Sequence, residues 1–234
     1  MPDDPDVKGG ANRRQFLRMT LAGLAVAVAH PSGIAAAAAR LPATRAPRST
    51  DGALEELLAG NARYVANRLT FGQHDLRALR SQTVETQTPF AAVLGCADSR
   101  VPVELVFDQS IGQLFVTRVA GNFAAPDIIA SLEYGVAVLK VRAILVLGHA
   151  HCGAVKAAMK AETVPGQISS LYAPLRQAVQ QSGGDVEKAV TINARLQADL
   201  LRSSSTVVHE AIAARTLAVA AGVYDLASGK VSIV

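Results

Sequence analysis

The sequence predicts an α/β fold: a mostly parallel central β-sheet flanked by helices, with an N-terminal helical arm. Three observations predict it. Half of the residues are hydrophobic, enough to build a sizeable core and to exclude a disordered chain. Three apolar runs, 90–95, 114–120 and 143–148, lack polar alternation, as strands buried on both faces of a parallel sheet do. Helix-like segments alternate with them, giving a β-α-β-α order.

The elements follow in order. Thr50 or Asp51 caps a helix beginning near Leu54, whose apolar face is Leu54, Leu57, Leu58, Ala62 and Tyr64. Residues 68–88 are polar and only partly helical. Residues 102–108 begin a helix with Pro102, and 126–139 carry a clear helical period. Further helices are expected over 152–160, 167–181 and 185–203. The chain closes with a hairpin: 217–225, a Ser228-Gly229 turn and 230–234.

The first forty residues read as an address rather than as structure. Arg13-Arg14-Gln15-Phe16-Leu17 precedes an apolar stretch from Met19 to Ala29 and an alanine run to Ala39. A basic start, a short apolar middle and a small-residue exit make an export signal, and the paired arginines resemble the twin-arginine type. The apolar stretch is well short of the ~20 residues that span a bilayer. The expected organisation is therefore a signal over 1–40, a Pro- and Arg-containing linker over 41–50 and a single domain over 51–234. The mature protein is expected to be periplasmic and to carry no stable membrane anchor. A formal charge of +4 without any Lys/Arg run gives no reason to expect a nucleic-acid partner. No Gly-x-Gly-x-x-Gly or P-loop spacing occurs.

Chemistry concentrates at two strand ends. Cys96 follows the first apolar run, and His149 and Cys152 follow the third. Open parallel sheets collect ligands beyond the carboxyl ends of their strands, so these residues face one crevice. Two thiolates and an imidazole suit Zn²⁺ and leave a fourth position open, which is the pattern of a catalytic site. The spacing alone leaves a disulfide between the two cysteines of an exported chain standing beside the metal reading.

Cys96-Ala97-Asp98-Ser99-Arg100-Val101 and Gly148-His149-Ala150-His151-Cys152-Gly153 together resemble the paired signatures of the β-class carbonic anhydrases. Residues 107–109, 115–122 and 131–134 follow the same pattern, and the resemblance covers roughly 50–234. It implies Zn²⁺ held by Cys96, His149 and Cys152, and reversible hydration of CO₂ to bicarbonate and a proton. It implies that a zinc-bound hydroxide attacks CO₂, oriented by the Asp98–Arg100 pair, and that Asp98 becomes a fourth zinc ligand only in a closed state. The resemblance also implies substrate contacts from Gln87, Phe115, Tyr134 and the Gly153 N–H. The family assembles as dimers or larger homo-oligomers, with its N-terminal helix across the partner. Some members are shut by bicarbonate at a site that uses Trp; this chain has no Trp and is expected to stay open. His151 is expected to be a solvated loop residue, with proton shuttling as the alternative. Three other functions stay open: a carbonyl sulfide or carbon disulfide hydrolase on the same fold, a non-catalytic zinc protein and a metal-free disulfide protein.

Overall fold

The computed structural model describes residues 47, 49–73 and 75–234. The expected export signal, most of the expected linker and His74 lie outside them.

Helix α1 (Thr50–Val65) is capped one residue before the expected position, by Ser49, whose side chain accepts the Gly52 N–H at 3.0 Å. It buries Ala53, Leu57, Gly60 and Asn61. Gly60 is needed there: a Cβ would lie 1.8 Å from the Phe107 carbonyl oxygen, so only glycine lets the helix approach. The uncertain stretch after α1 holds a single 3-10 turn at Phe71–Gln73 and helix α2 (Leu76–Gln82), capped by Asp75.

Strands β1 (Ala91–Gly95), β2 (Leu114–Arg118) and β3 (Ala143–His149) fall on the three apolar runs. Helices α3 (Val103–Val106) and α4 (Pro126–Ala137) lie between them in sequence, α4 opening on the proline at its first turn. Helices α5 (Gly153–Lys160), α6 (Tyr172–Ser182) and α7 (Val186–Ser204) occupy the three later helical segments. Helix α8 (Thr206–Ala213) was not anticipated; Ser205 both ends α7 and caps α8 through the Val208 N–H. The closing pair is β4 (Ala218–Tyr224) and β5 (Val231–Ile233).

The sheet order is β2-β1-β3-β4-β5, parallel except for the antiparallel β4–β5 pair. Successive side chains point to opposite faces. Val93, Leu145 and Leu147 pack with Leu57, Val103 and Phe107 on one face. Leu94, Ile144 and Val146 pack with Leu132, Ala194, Ala198, Leu201 and Val208 on the other. Helices α1 and α3 therefore cover one side, and α4, α7 and α8 the other. That double cover explains why the central strands read as unbroken apolar runs.

Two buried polar residues tie the peripheral segments to this core. Asn61 donates to the carbonyls of Val106 and Gly229 and accepts the Val231 N–H, joining α1 to α3 and the terminal hairpin. Asp108 accepts from Arg63, from the Thr70 N–H and hydroxyl, and from the Phe71 N–H, fixing the segment that follows α1. Burial acts to raise the Asp108 pKa, but these donors outweigh it and hold the carboxyl below its usual range.

Candidate metal centre

Strands β1 and β3 pair directly, with Gly95 opposite Leu147. Cys96 therefore leaves the sheet beside Gly148 and His149, the end of β3. Cys152 is the N-cap of α5, where the helix N-terminus favours a thiolate. The Sγ atoms of both cysteines and a ring nitrogen of His149 all lie within 4.8 Å of one another, and all three residues are buried.

The details fit a zinc ion. The two Sγ atoms are 4.0 Å apart and both thiols are free, so no disulfide joins them. A disulfide would bring them to about 2.05 Å. Two thiolates at about 2.3 Å from a tetrahedral zinc are separated by about 3.8 Å, close to the spacing found. His149 is fully buried, and its Nδ1 lies 3.0 Å from the Ala150 carbonyl oxygen. That contact selects the tautomer with the proton on Nδ1, which leaves the Nε2 lone pair for a metal. Nε2 has no hydrogen-bond partner among the described residues, and a buried unpartnered nitrogen is costly unless an ion satisfies it.

The thiols are electrostatically unequal. Cys96 is held well below the usual thiol range, chiefly by the hydrogen bond from Cys152 and against the cost of burial. Cys152 is pushed up by that same hydrogen bond and by burial. A single negative charge on the pair is stable alone; a second one calls for a cation between them.

Asp98 stands at the rim with its carboxylate held by Arg100. Its Oδ1 accepts the Arg100 backbone N–H and Nε, both at 2.9 Å, and its Oδ2 accepts Arg100 Nη2 at 2.7 Å. The arginine hydrogen bonds hold the carboxyl well below the usual range. Oδ2 also lies 3.8 Å from His149 Nε2, so a short side-chain rotation separates it from the ligand cluster.

The sequence did not single out the residues that hold this turn. Arg118, at the end of β2, donates from Nε to the Cys96 carbonyl at 2.9 Å and from Nη2 to the Asp98 carbonyl at 2.6 Å. The Gly121 N–H reaches Cys96 Sγ at 3.3 Å. The Ala150 N–H is taken by the Tyr224 carbonyl of β4 at 2.9 Å. His151 has a left-handed backbone, with φ of 57°, and both its N–H and its Nδ1 meet Glu187 Oε1. It is an exposed loop residue, as expected.

The remaining expected site residues divide. Gly153 opens α5 beside the ligands, with nothing within 4 Å of where a Cβ would stand. Phe115 meets Tyr134 in a tilted pair, with ring centroids 6.2 Å apart and planes at 40°, and Tyr134 shares a surface depression with Gln87, Thr83, Val84 and Leu139. Phe115 is in register with Ala92, four residues before Cys96, or about 13 Å along the strand. Within one chain, Gln87, Phe115 and Tyr134 form a separate group at the β2 edge.

Residues 91–231 match the family model described as Carbonic anhydrase. The chain belongs to the β-carbonic anhydrase family. Carbonic anhydrase 2 of Mycobacterium tuberculosis is 36% identical over 188 residues, covering 76% of this chain and 89% of that one. The carbonic anhydrase of Mycolicibacterium smegmatis is 34% identical over 189 residues, covering 77% and 91%. Among solved structures, a β-carbonic anhydrase of the fungal pathogen Aspergillus fumigatus aligns at 27% identity with a TM-score of 0.64, covering 77% of this chain and 90% of that one. The Coccomyxa β-carbonic anhydrase, solved with acetazolamide, aligns at 28% identity and 0.60, covering 77% and 81%. Two tetrameric β-carbonic anhydrases of Sordaria macrospora were solved together, and one of their chains shares the fold, at 24% identity with a TM-score of 0.64 over 77% of this chain and 96% of that one.

Proposed function

We propose that this β-carbonic anhydrase catalyses the reversible hydration of CO₂ to bicarbonate and a proton, with Zn²⁺ held by Cys96, His149 and Cys152. One observation carries the reading: two buried free thiols and an unpartnered buried imidazole nitrogen converge within 4.8 Å, while the nearest carboxylate is held aside by an arginine. Zinc at such a site supplies a Lewis acid that lowers the pKa of a coordinated water to about 7.

The chain's own residues supply the rest. Asp98, ionised and fixed by Arg100, accepts a hydrogen bond from the reacting water and aims its lone pair at CO₂. By holding Asp98, Arg100 also keeps that carboxylate off the metal. The Gly153 N–H at the start of α5 receives a bicarbonate oxygen. Gln87, Phe115 and Tyr134 provide the amide donor and the apolar wall that a small uncharged substrate needs. Their distance from Cys96 within a chain, and the 48% exposure of Tyr134, support a site completed by a second copy. The active form is accordingly a dimer or a larger homo-oligomer. Residues 1–40 act as a twin-arginine-type export signal, 41–50 as a linker and 51–234 as the catalytic domain of a periplasmic enzyme. Among the described residues, no helix is long and apolar enough to cross a membrane.

Stopped-flow CO₂ hydration with a pH indicator tests this, using the zinc-loaded chain from about residue 40 and its Cys96→Ser variant. Fast hydration that the variant loses is expected, rising from about pH 7 to about pH 8.5 as the reacting water ionises. Bound zinc without hydration at either pH refutes the assignment and favours hydrolysis of carbonyl sulfide or a non-catalytic zinc protein.

A further inference from the structure

Helix α7 carries two amides where its pattern calls for apolar residues. Asn193 and Gln197 are 1% and 5% exposed, among Ala189, Val190, Ala194, Ala198 and Leu201 on the buried side of the helix. They stand one turn apart on one face, and Gln197 Nε2 donates to Asn193 Oδ1 at 3.2 Å. Buried amides in an apolar setting are unfavourable unless their polar atoms are used. Here the free ends both reach the turn after β2. Asn193 Nδ2 donates to the Gly121 carbonyl at 2.9 Å, and Gln197 Oε1 accepts the Ala124 N–H at 2.9 Å.

Gly121 thus stands between two hydrogen bonds. Its carbonyl is held by Asn193, and its N–H points at Cys96 Sγ. Its φ of +88° is open to glycine but rarely adopted by L side chains, and the freedom of a glycine backbone leaves these hydrogen bonds to orient the turn. A hydrogen bond to a ligating sulfur moderates its charge and fixes its direction, so whatever fixes the donor also tunes the metal. We infer that Asn193, oriented by Gln197, is a positioning residue for the metal centre, acting through Gly121 on the Cys96 thiolate. The inference rests on the zinc reading of Cys96, His149 and Cys152.

The test measures zinc affinity by chelator competition on the full-length protein, together with the thiolate-to-metal charge-transfer band of the Co²⁺-substituted form. Asn193→Ala is expected to weaken zinc binding about 10- to 100-fold and to move the band to lower energy, since the sulfur loses its N–H donor. Asn61→Ala is the matched control, because Asn61 is also a buried amide with several backbone hydrogen bonds but lies away from the ligands. It is expected to lower stability without moving either readout. If Asn193→Ala does not fold, Gln197→Met carries the test, with a few-fold loss of affinity and a band shift in the same direction expected. Wild-type affinity and an unmoved band in the folded variant overturn the inference, as does an equal change in Asn61→Ala. A wild-type protein that binds no zinc instead refutes the reading of the centre itself.

Discussion

Gly121→Ala separates two physical contributions at the rim of the site. The backbone has φ of +88° at this position, and an added Cβ would lie 3.0 Å and 3.3 Å from the two methyls of Leu175 and 3.4 Å from Ala154 Cβ. The left-handed conformation costs an L residue about 1–2 kcal/mol. Crowding a well-packed site costs about 1–3 kcal/mol more. Leu175 is fully buried in α6, so it cannot swing into solvent to make room. The single variant is therefore expected to lose about 2–5 kcal/mol, with bound zinc falling as the Gly121 N–H leaves Cys96. In a Leu175→Ala background the methyls are gone, and adding Gly121→Ala should cost only the conformational part, about 1–2 kcal/mol. Urea unfolding of the four proteins, at fixed protein and zinc concentrations, measures the coupling. Equal costs in both backgrounds, within about 0.5 kcal/mol, would refute the crowding argument. A cost below about 1 kcal/mol in either background would refute the backbone argument.

Other perturbations reach separate parts of the molecule. Asp108→Asn keeps a residue tolerant of left-handed backbone but turns an amide N–H toward the Arg63 donor, and it should cost about 2–4 kcal/mol near pH 7 in urea unfolding. The folded pKa of Asp108 lies below its unfolded value, so its contribution is present above about pH 4 and is lost as pH falls through the lowered value. The stability gap between Asp108→Asn and wild type should then close on acidification, and a gap that widens would reverse the sign of this argument. At Gly153 the site for a Cβ is open, so Gly153→Ala should fold and turn over like wild type. Gly153→Pro keeps the helix start but removes the N–H, so melting should barely change while CO₂ hydration falls. Thiol labelling under native conditions should find both cysteines protected with zinc and reactive after a chelator has stripped it.

The sheet was legible because burial on both faces removes polar alternation from β1 and β3, and Pro102 and Pro126 marked helix starts. The hairpin at the end was legible from its Ser228-Gly229 turn. The sequence could not show that β4 also pairs in parallel with β3, since that partnership depends on where the intervening helices return the chain. Helix α8 went unseen because one serine, Ser205, serves as the end of one helix and the cap of the next. In the centre, the cysteines and His149 stood out because thiols and imidazole at strand ends are chemically uncommon. Arg118, Gly121, Asn193 and Gln197 did not, because each acts through hydrogen bonds to or from the main chain, and such bonds leave no spacing to read. Asn193 and Gln197 did leave one trace, two amides one turn apart on an apolar helix face. The distance between Phe115 and Cys96 also needed the strand register, which places Phe115 opposite Ala92.

The pairing of β4 beside β3 sets an order in time. Every side chain proposed to touch the metal has been synthesised once Cys152 has been joined to the chain. The Tyr224 carbonyl that holds the loop between His149 and Cys152 comes some seventy residues later, and the α7 amides that hold Gly121 come about forty later. Contacts this distant in sequence form late, and a parallel sheet cannot close before its last strand arrives. A nascent chain carrying all three ligands therefore lacks the β4 and α7 part of the scaffold that aims them, and secure capture of the ion belongs to the completed polypeptide.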